Sequence, residues 1–272
     1  MATAPAPDEV DYVSGRTRLF GIVGDPIVQV KSPEMFTAAF RARGLDAVLV
    51  PLHVVPADFD ACLAGLMRLR NLDGLIFTIP HKVRALSLAA SVGAQARVAG
   101  AINALARSGD AWKGEMFDGL GCVEALRRRS VPLRGRRLML LGAGGAGSAI
   151  AIALAHEQPA FMRLFDVDSA RVEALASKVR AVSATTLVEV ARPSIDDVDV
   201  LLNATPTGML DDARLPLEVD RLPQRLVVFD AIVKPERTPL IQLAEASGCT
   251  TVHGREMMRG QIDRMVEFFT GR

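Results

Sequence analysis

Leu138-Met139-Leu140-Leu141-Gly142-Ala143-Gly144-Gly145-Ala146-Gly147-Ser148 is the stretch that decides the fold of this chain. Its four apolar residues predict a buried strand, and the alanine-rich run from Ala149 to Ala155 predicts a helix behind it. Between them, glycines 142, 144 and 147 match G-x-G-x-x-G, a pattern that acquires meaning from its strand–turn–helix context. Gly142 permits the tight turn, Gly144 lets backbone approach a pyrophosphate, and Gly147 lets the helix pack on the strand. Gly145 and Ala146 complete the turn, and the helix N-terminus offers free N–H groups to phosphates.

A second strand, Phe161 to Phe165, ends at Asp166-Val167-Asp168. Asp166 lies 24 positions after Gly142. An acid about 20 residues beyond the glycines is where a ribose hydroxyl is read. A carboxylate there accepts from a 2′-OH and repels a 2′-phosphate, so NAD is the expected cofactor. NADP is the alternative, which Arg163 or Arg171 would favour by turning toward a phosphate. Asp168, with Ser169, reads as the cap of a helix from Ala170 to Val179.

The chain has 272 residues, half of them hydrophobic, and a formal net charge of +1. It is long enough for one large or two ordinary domains, and its charge gives no electrostatic case for nucleic-acid or membrane partners. The basic clusters at 127–129 and 134–137 read as solvated surface. Cys62, Cys122 and Cys249 lie far apart without metal spacing, and fit reduced thiols and a cytoplasmic location. The four histidines (53, 81, 156 and 253) share no spacing, so no metal is assigned. No apolar run is long enough to span a bilayer. The Pro/Ala-rich start lacks a signal peptide's basic and apolar regions, and residues 1–16 are expected to be a disordered leader.

The first half alternates strands and helices in βαβ fashion. Strands are expected at 17–24, 47–52 and 72–79, with helices at 32–43, 58–69 and 82–90. Strand-like 102–107 and 111–114 bracket Ser108-Gly109-Asp110, a hairpin turn. A helix from 119 to 129 leads into the glycine-rich half. Strands follow at 186–190, 198–203, 226–231 and 250–252, with a helix at 239–247. A last amphipathic helix, 256–269, carries Met257, Met258, Ile262, Met265, Val266 and Phe269 at helical spacing. The fold class is α/β.

In order along the chain stand Gly24-Asp25-Pro26-Ile27, Lys31-Ser32-Pro33, Thr78-Ile79-Pro80-His81-Lys82, Gly100-Ala101-Ile102-Asn103 and Asp118-Gly119. The glycine turn, Asn203-Ala204-Thr205-Pro206-Thr207-Gly208-Met209, Asp230, Thr238-Pro239-Leu240 and Gln261 complete the series. This series resembles the shikimate/quinate dehydrogenase family, from Leu19 to Phe269. The resemblance implies an N-terminal α/β substrate domain (17–118 and 254–272) and a C-terminal Rossmann domain (119–253). It implies reversible oxidation of a ring hydroxyl of shikimate, quinate or a related cyclic hydroxy acid, with hydride passing to nicotinamide, in a monomer or homodimer. Lys82 and Asp118 match the family's catalytic pair. Asn103 matches a ligand of a substrate hydroxyl, Ser32 one of two serines that hold the substrate carboxylate, and Thr78 and Gln261 further substrate contacts. The loop bearing Asn203, Thr205 and Met209 leaves the carboxyl end of a buried strand, where cofactors sit, and is expected to line the nicotinamide ribose.

Oxidising an alcohol needs a base for the hydroxyl proton while hydride leaves the same carbon, help typically worth about 10²–10⁴ in rate. Taken alone, the same residues have structural readings. Lys82 reads as a surface lysine at a helix start, Asp118 as an N-cap, and Asn103 as a turn residue. Ser32 before Pro33 reads as a helix start, Thr78 as a strand residue and Gln261 as one position on an amphipathic helix. The adjacent His81 is expected to pack or face solvent.

The chain departs from the family pattern at four places near the substrate. Val30 stands where the first carboxylate-binding serine is usual, Ile76 and Phe117 replace polar residues, and Val233 replaces a tyrosine. A hydroxyl-to-carboxylate bond is worth roughly 1.5–3 kcal/mol, so the expectation is a retained reaction on an altered substrate. Asp166-Val167-Asp168 also replaces the Asn-Arg-Thr type that accompanies NADP in the family. Two alternatives remain open: a methylene-tetrahydrofolate dehydrogenase-like enzyme, and a catalytically silent nucleotide-binding sensor.

Overall fold

Strand β7 (Arg137–Leu141) is the apolar run before the glycines, and four of its five side chains are buried. The computed structural model describes residues 13–271. In it β7 pairs in parallel with β8 (Phe161–Phe165) on one side and β10 (Val200–Asn203) on the other. Adding β9 (Leu187–Val190), β11 (Val227–Asp230) and β12 (Thr250–His253) gives a six-stranded, all-parallel sheet in the order β12-β11-β10-β7-β8-β9. Strand order reverses beside β7, which leaves a crevice at its carboxyl end, the place where open α/β sheets hold their ligands. Helix α5 (Gly145–His156) is buried continuously from Gly147 to Ala155. A helix apolar on every side must be covered on every side. Here β7 lies under α5, while α3 (Ala94–Ala99), α4 (Asp118–Arg128) and α6 (Ser169–Val182) surround it.

The first half builds a second, mixed sheet in the order β2-β1-β3-β5-β6-β4. Strands β1 (Arg18–Gly24), β2 (Ala47–His53) and β3 (Leu72–Phe77) run parallel, as βαβ connections require. Strands β5 (Ala104–Ser108) and β6 (Ala111–Glu115) form the expected hairpin. Gly109 at its turn has φ +64°, a backbone shape suited to glycine. Strand β4 (Ser91–Val92) completes the far edge beside β6. Helix α1 (Ser32–Ala42) covers one face of this sheet, with Phe36 and Phe40 fully buried.

The last helix, α8 (Gly254–Thr270), leaves the second sheet and returns to the first. It packs along α4, then against α1 and β5. The α4 contact is backbone-close: a Cβ on Gly121 would lie 2.5 Å from the Met257 carbonyl oxygen. At its far end Phe269 meets Phe20 and Phe36 with ring centroids 5.3 and 6.4 Å apart.

Several elements differ from the sequence expectation. The helix expected over 82–90 is a tight turn followed by a short 3₁₀ helix, Arg84–Leu88. The Lys82 carbonyl accepts from the Ile102 N–H at 2.9 Å, so the Leu86 N–H turns to Val83 and the α-helical ladder stops. Helix α3 was not anticipated, although Gly100 ends it at φ +74° as a left-handed cap. The helix expected over 58–69 is α2 (Phe59–Leu66) behind a 3₁₀ turn at Pro56–Asp58. Asp168 caps α6 as expected, accepting from the Arg171 N–H at 3.0 Å. Of the segment expected as a disordered leader, positions 1–12 lie outside the described residues. Residues 13–16 lead into β1 through a turn in which the Thr17 hydroxyl accepts from the Ser14 N–H and donates to Asp46. Among the described residues no helix is long and apolar enough to cross a membrane.

Truncating Phe269 removes the aromatic contact that ties the last helix to the first sheet. Phe269→Ala is expected to cost about 3–5 kcal/mol, read as a lowered denaturant midpoint at unchanged m-value.

Candidate active site

Asp118 is the first residue of α4, and its side chain is 3 % exposed. The structure does not use it as an N-cap: the cap position is Phe117, and no side chain bonds the helix start. The carboxylate is committed elsewhere. Its Oδ2 pairs with the Lys82 ammonium, and its Oδ1 accepts from Asn103 Nδ2 at 2.8 Å. A buried carboxylate requires this kind of matching, by charge and by hydrogen bonds. Asn103 is buried between β5 and the α4 start, where its Oδ1 accepts from the Phe117 N–H at 2.9 Å. Its Nδ2 also reaches Gln261 Oε1 on α8, at 3.1 Å. Lys82, Asp118, Asn103 and Gln261, from four separate segments, thus form one connected cluster.

The cluster opens into a cavity between the two sheets. Ser32 and Thr78 line it from the first half, and Ala146, Thr205 and Met209 from the second. The expected site residues Lys82, Asp118, Asn103, Gln261, Ser32 and Thr78 therefore share one cavity. Three of the departures from the family pattern, Val30, Ile76 and Val233, line it too. The fourth does not: the Phe117 ring packs edge-on against Phe268, with centroids 5.5 Å apart. His81 is a packing residue, 1 % exposed, stacked on Phe59 and bonded to the Val54 carbonyl.

The glycine turn adjoins this cluster. A Cβ on Gly145 would stand 3.0 Å from the Lys82 Cβ, so a side chain there would crowd the lysine. Gly142 has φ +98°, and a Cβ on Gly147 would lie 2.0 Å from the Gly142 carbonyl oxygen. Both positions require glycine, one for its dihedral and one for its closeness. Around Gly144, by contrast, there is open space. Asp166 sits at the end of β8 with its Oδ2 accepting from the Ala143 N–H at 2.6 Å and its Oδ1 from the Asp168 N–H at 2.9 Å. A carboxylate has about four acceptor sites, so two remain open on Asp166. Open space at a helix start, with a pinned carboxylate beside it, is an arrangement with room for a dinucleotide. Arg163 is engaged by Glu189 and the Ser194 carbonyl, and Arg171 is ion-paired to Asp168 at 3.3 Å.

Asn203 is placed differently from its neighbours in the loop. It is wholly buried beneath the 203–209 segment rather than in the cavity. Its Oδ1 accepts from the Thr205 N–H and hydroxyl, and its Nδ2 donates to Asp230 Oδ1 at 3.1 Å. Asp230 also accepts from the Ile232 N–H and from the Thr238 hydroxyl, which caps α7 (Pro239–Ala246). Burial pushes the Asp230 carboxyl up, against the lowering effect of its three donors. Sequence reasoning placed Asp230 in the motif series without this role. Its signal was an acid at the end of an otherwise apolar strand. Gln29 was missed altogether: it is 6 % exposed, lines the cavity and carries an unpartnered Oε1. Among the described residues no group of His, Cys, Asp and Glu side chains is arranged to hold a metal ion.

A doubly wound dinucleotide sheet facing a buried ammonium–carboxylate couple across a cleft defines a nicotinamide-dependent α/β oxidoreductase. Residues 22–105 match the family model described as the shikimate dehydrogenase substrate binding domain. The chain is 34 % identical to shikimate dehydrogenase (NADP(+)) of Symbiobacterium thermophilum, over 95 % of this chain and 90 % of that protein. Its fold superposes on shikimate 5-dehydrogenase of Listeria monocytogenes, solved with shikimate and NAD, with a TM-score of 0.82 and 27 % identity over 96 % and 94 % of the chains. A 5-ketofructose reductase of Gluconobacter sp. strain CHM43 matches with a TM-score of 0.79 and 28 % identity, over 95 % of both chains. The chain belongs to the shikimate dehydrogenase family. The comparisons lend no support to the methylene-tetrahydrofolate dehydrogenase-like or silent-sensor alternatives.

Cys122 lies one turn beyond Asp118 on α4, fully buried, and burial, then the Asp118 charge, pushes its thiol well up. Native protein treated with iodoacetamide at about pH 8.5, the ordinary thiol range, is expected to be labelled at exposed Cys62 and not at Cys122. Denatured protein should label at both, as peptide mass mapping would read.

Proposed function

We propose that this chain catalyses the reversible, NAD-linked oxidation of a ring hydroxyl on quinate, shikimate or a related cyclic hydroxy acid. The observation that carries this reading is the Lys82–Asp118 couple, buried against both the glycine turn and the interdomain cavity. Lys82 exchanges a proton with the reacting hydroxyl oxygen. Asp118 fixes the amine's direction and accepts from the substrate, and Asn103 holds the carboxylate in place from the other side. Bound nicotinamide supplies the hydride acceptor. Gln261 braces Asn103, while Ser32 and Thr78 offer hydroxyls to the ring substituents. Thr205 and Met209 wall the cavity toward the cofactor, and Asn203 supports their loop from below.

The preference for NAD rests on charge. Asp166 and Asp168 flank the place where a 2′-phosphate would sit, Arg163 is engaged elsewhere, and the charge of Arg171 is offset by Asp168. The Symbiobacterium relative is named as an NADP(+) enzyme, and the Listeria enzyme was solved with NAD, so both cofactors occur among the relatives. The substrate shell supports a changed specificity. Val30, Ile76 and Val233 bring apolar surface to the cavity where the family pattern expects polar contacts. The Gluconobacter neighbour, named for a sugar ketone, supports the view that this fold carries more than one substrate shell.

The test is a screen of cyclic hydroxy acids with NAD and NADP, beside Lys82→Ala. That variant is expected to lose about 10²–10⁴ in kcat on the best substrate; full retained turnover would overturn the role of Lys82. On the cofactor side, Asp166→Asn removes a charged acceptor. It is expected to lower kcat/KM for NAD by about tenfold or more and to narrow the gap to NADP. An unchanged ratio in steady-state assays would remove the basis for the NAD preference.

A further inference from the structure

Gln29 lines the cavity from the loop that joins β1 to α1, three residues before Ser32. Its side-chain amide has a fixed orientation. Nε2 donates to the Pro26 carbonyl at 2.6 Å, and a carbonyl can only accept, so the nitrogen must face Pro26 and the oxygen must face away. That oxygen has no donor, although the residue is 94 % removed from solvent. An unpaired buried acceptor is costly, and a structure that keeps one leaves a place for a donor from outside the chain. The neighbouring position 30 is valine, so the Ser32 end of the cavity has one hydroxyl donor fewer and one amide acceptor to spare.

We propose that Gln29 is a specificity-determining residue. Its Oε1 accepts an O–H from the substrate at the Ser32 end of the cavity, so the enzyme selects rings that carry a hydroxyl there. A carboxylate oxygen cannot serve this acceptor, because it has no proton to give. The inference rests on the dehydrogenase reading above and narrows its substrate. Quinate bears a hydroxyl on the carbon that carries its carboxylate, whereas in shikimate that carbon belongs to the ring double bond. A carboxylate-free ring polyol offers the hydroxyl alone. The shared chemistry is the donor hydroxyl, whichever of these rings presents it.

The experiment compares kcat/KM for quinate, shikimate and inositol in the wild type, Gln29→Leu and Gln29→Met, with unfolding midpoints measured in parallel. The wild type is expected to favour quinate over shikimate. Removing the acceptor should lower kcat/KM on quinate by about fivefold to tenfold, through KM, and change it on shikimate by less than about twofold. Loss of the Pro26 bond alone would affect both acids equally, so the ratio isolates the acceptor. Inositol turnover that falls with the same substitutions supports the proposal, and inositol turnover indifferent to them overturns it. A wild-type preference for shikimate, or a ratio unmoved by both variants, also overturns it. If Lys82→Ala is inactive in that case, the dehydrogenase reading stands. No turnover of any of the three by the wild type overturns the proposal, while the dehydrogenase reading falls only if the whole screen of cyclic hydroxy acids is inactive.

Discussion

A carboxylate held out of water must be met by cations and donors, and Asp118 is met by both. Lys82 neutralises one oxygen and Asn103 donates to the other. Each partner belongs to a different part of the chain. Lys82 comes from the turn after β3, Asn103 from the entry to β5, and Gln261, which braces Asn103, from the final helix. Removing one partner from such a group leaves an uncompensated charge, which costs far more than the pair contributes when intact. The cluster therefore constrains how the segments meet as well as what they do together. The halted helix after β3 belongs to the same constraint. Lending the Lys82 carbonyl to Ile102 stops the helical ladder and leaves the lysine beside the glycine turn.

The second half contributes through a quieter network. Asp230 bonds Asn203 under one cavity-lining loop, and Ile232 and Thr238 in the next. Both loops leave the carboxyl ends of adjacent parallel strands, β10 and β11, where a doubly wound sheet presents its ligands. A buried acid with three internal donors is an expensive way to hold two loops. It fixes them against each other with directional bonds, which apolar packing alone does not provide.

Much of this was legible in the sequence, because the signals were local. The apolar run before Gly142, the glycine spacing and the acid after β8 fixed the dinucleotide half, and the alternation of apolar segments fixed the first sheet's strands. Read in isolation, the site residues were ambiguous for a physical reason. An aspartate before a glycine-rich helix start is as good a cap as it is a ligand, and only the tertiary position of Lys82 decides between them. The family resemblance gathered these residues in advance, and the structure places six of them around one cavity. Asn203 stood among the cofactor contacts by motif, yet its burial under the loop depends on Asp230, a partner 27 positions away. The free acceptor of Gln29 has no sequence signature, since it exists only because Pro26 takes the other end of the amide. The short helix α3 escaped because six residues carry too little periodicity to stand out.

The course of the final helix has a consequence for biosynthesis. Gln261 and Phe269, on the last helix, complete structures begun by residues far earlier in the chain, Asn103 and Phe20. While the ribosome is still adding those last turns, the earlier sheet lacks part of its aromatic core and Asn103 lacks its brace. The dinucleotide half, contiguous from β7 to β12, has no such wait. A nascent chain can thus fold its nucleotide platform first, but the cluster around Asp118 stays incomplete until the last helix has joined the first sheet.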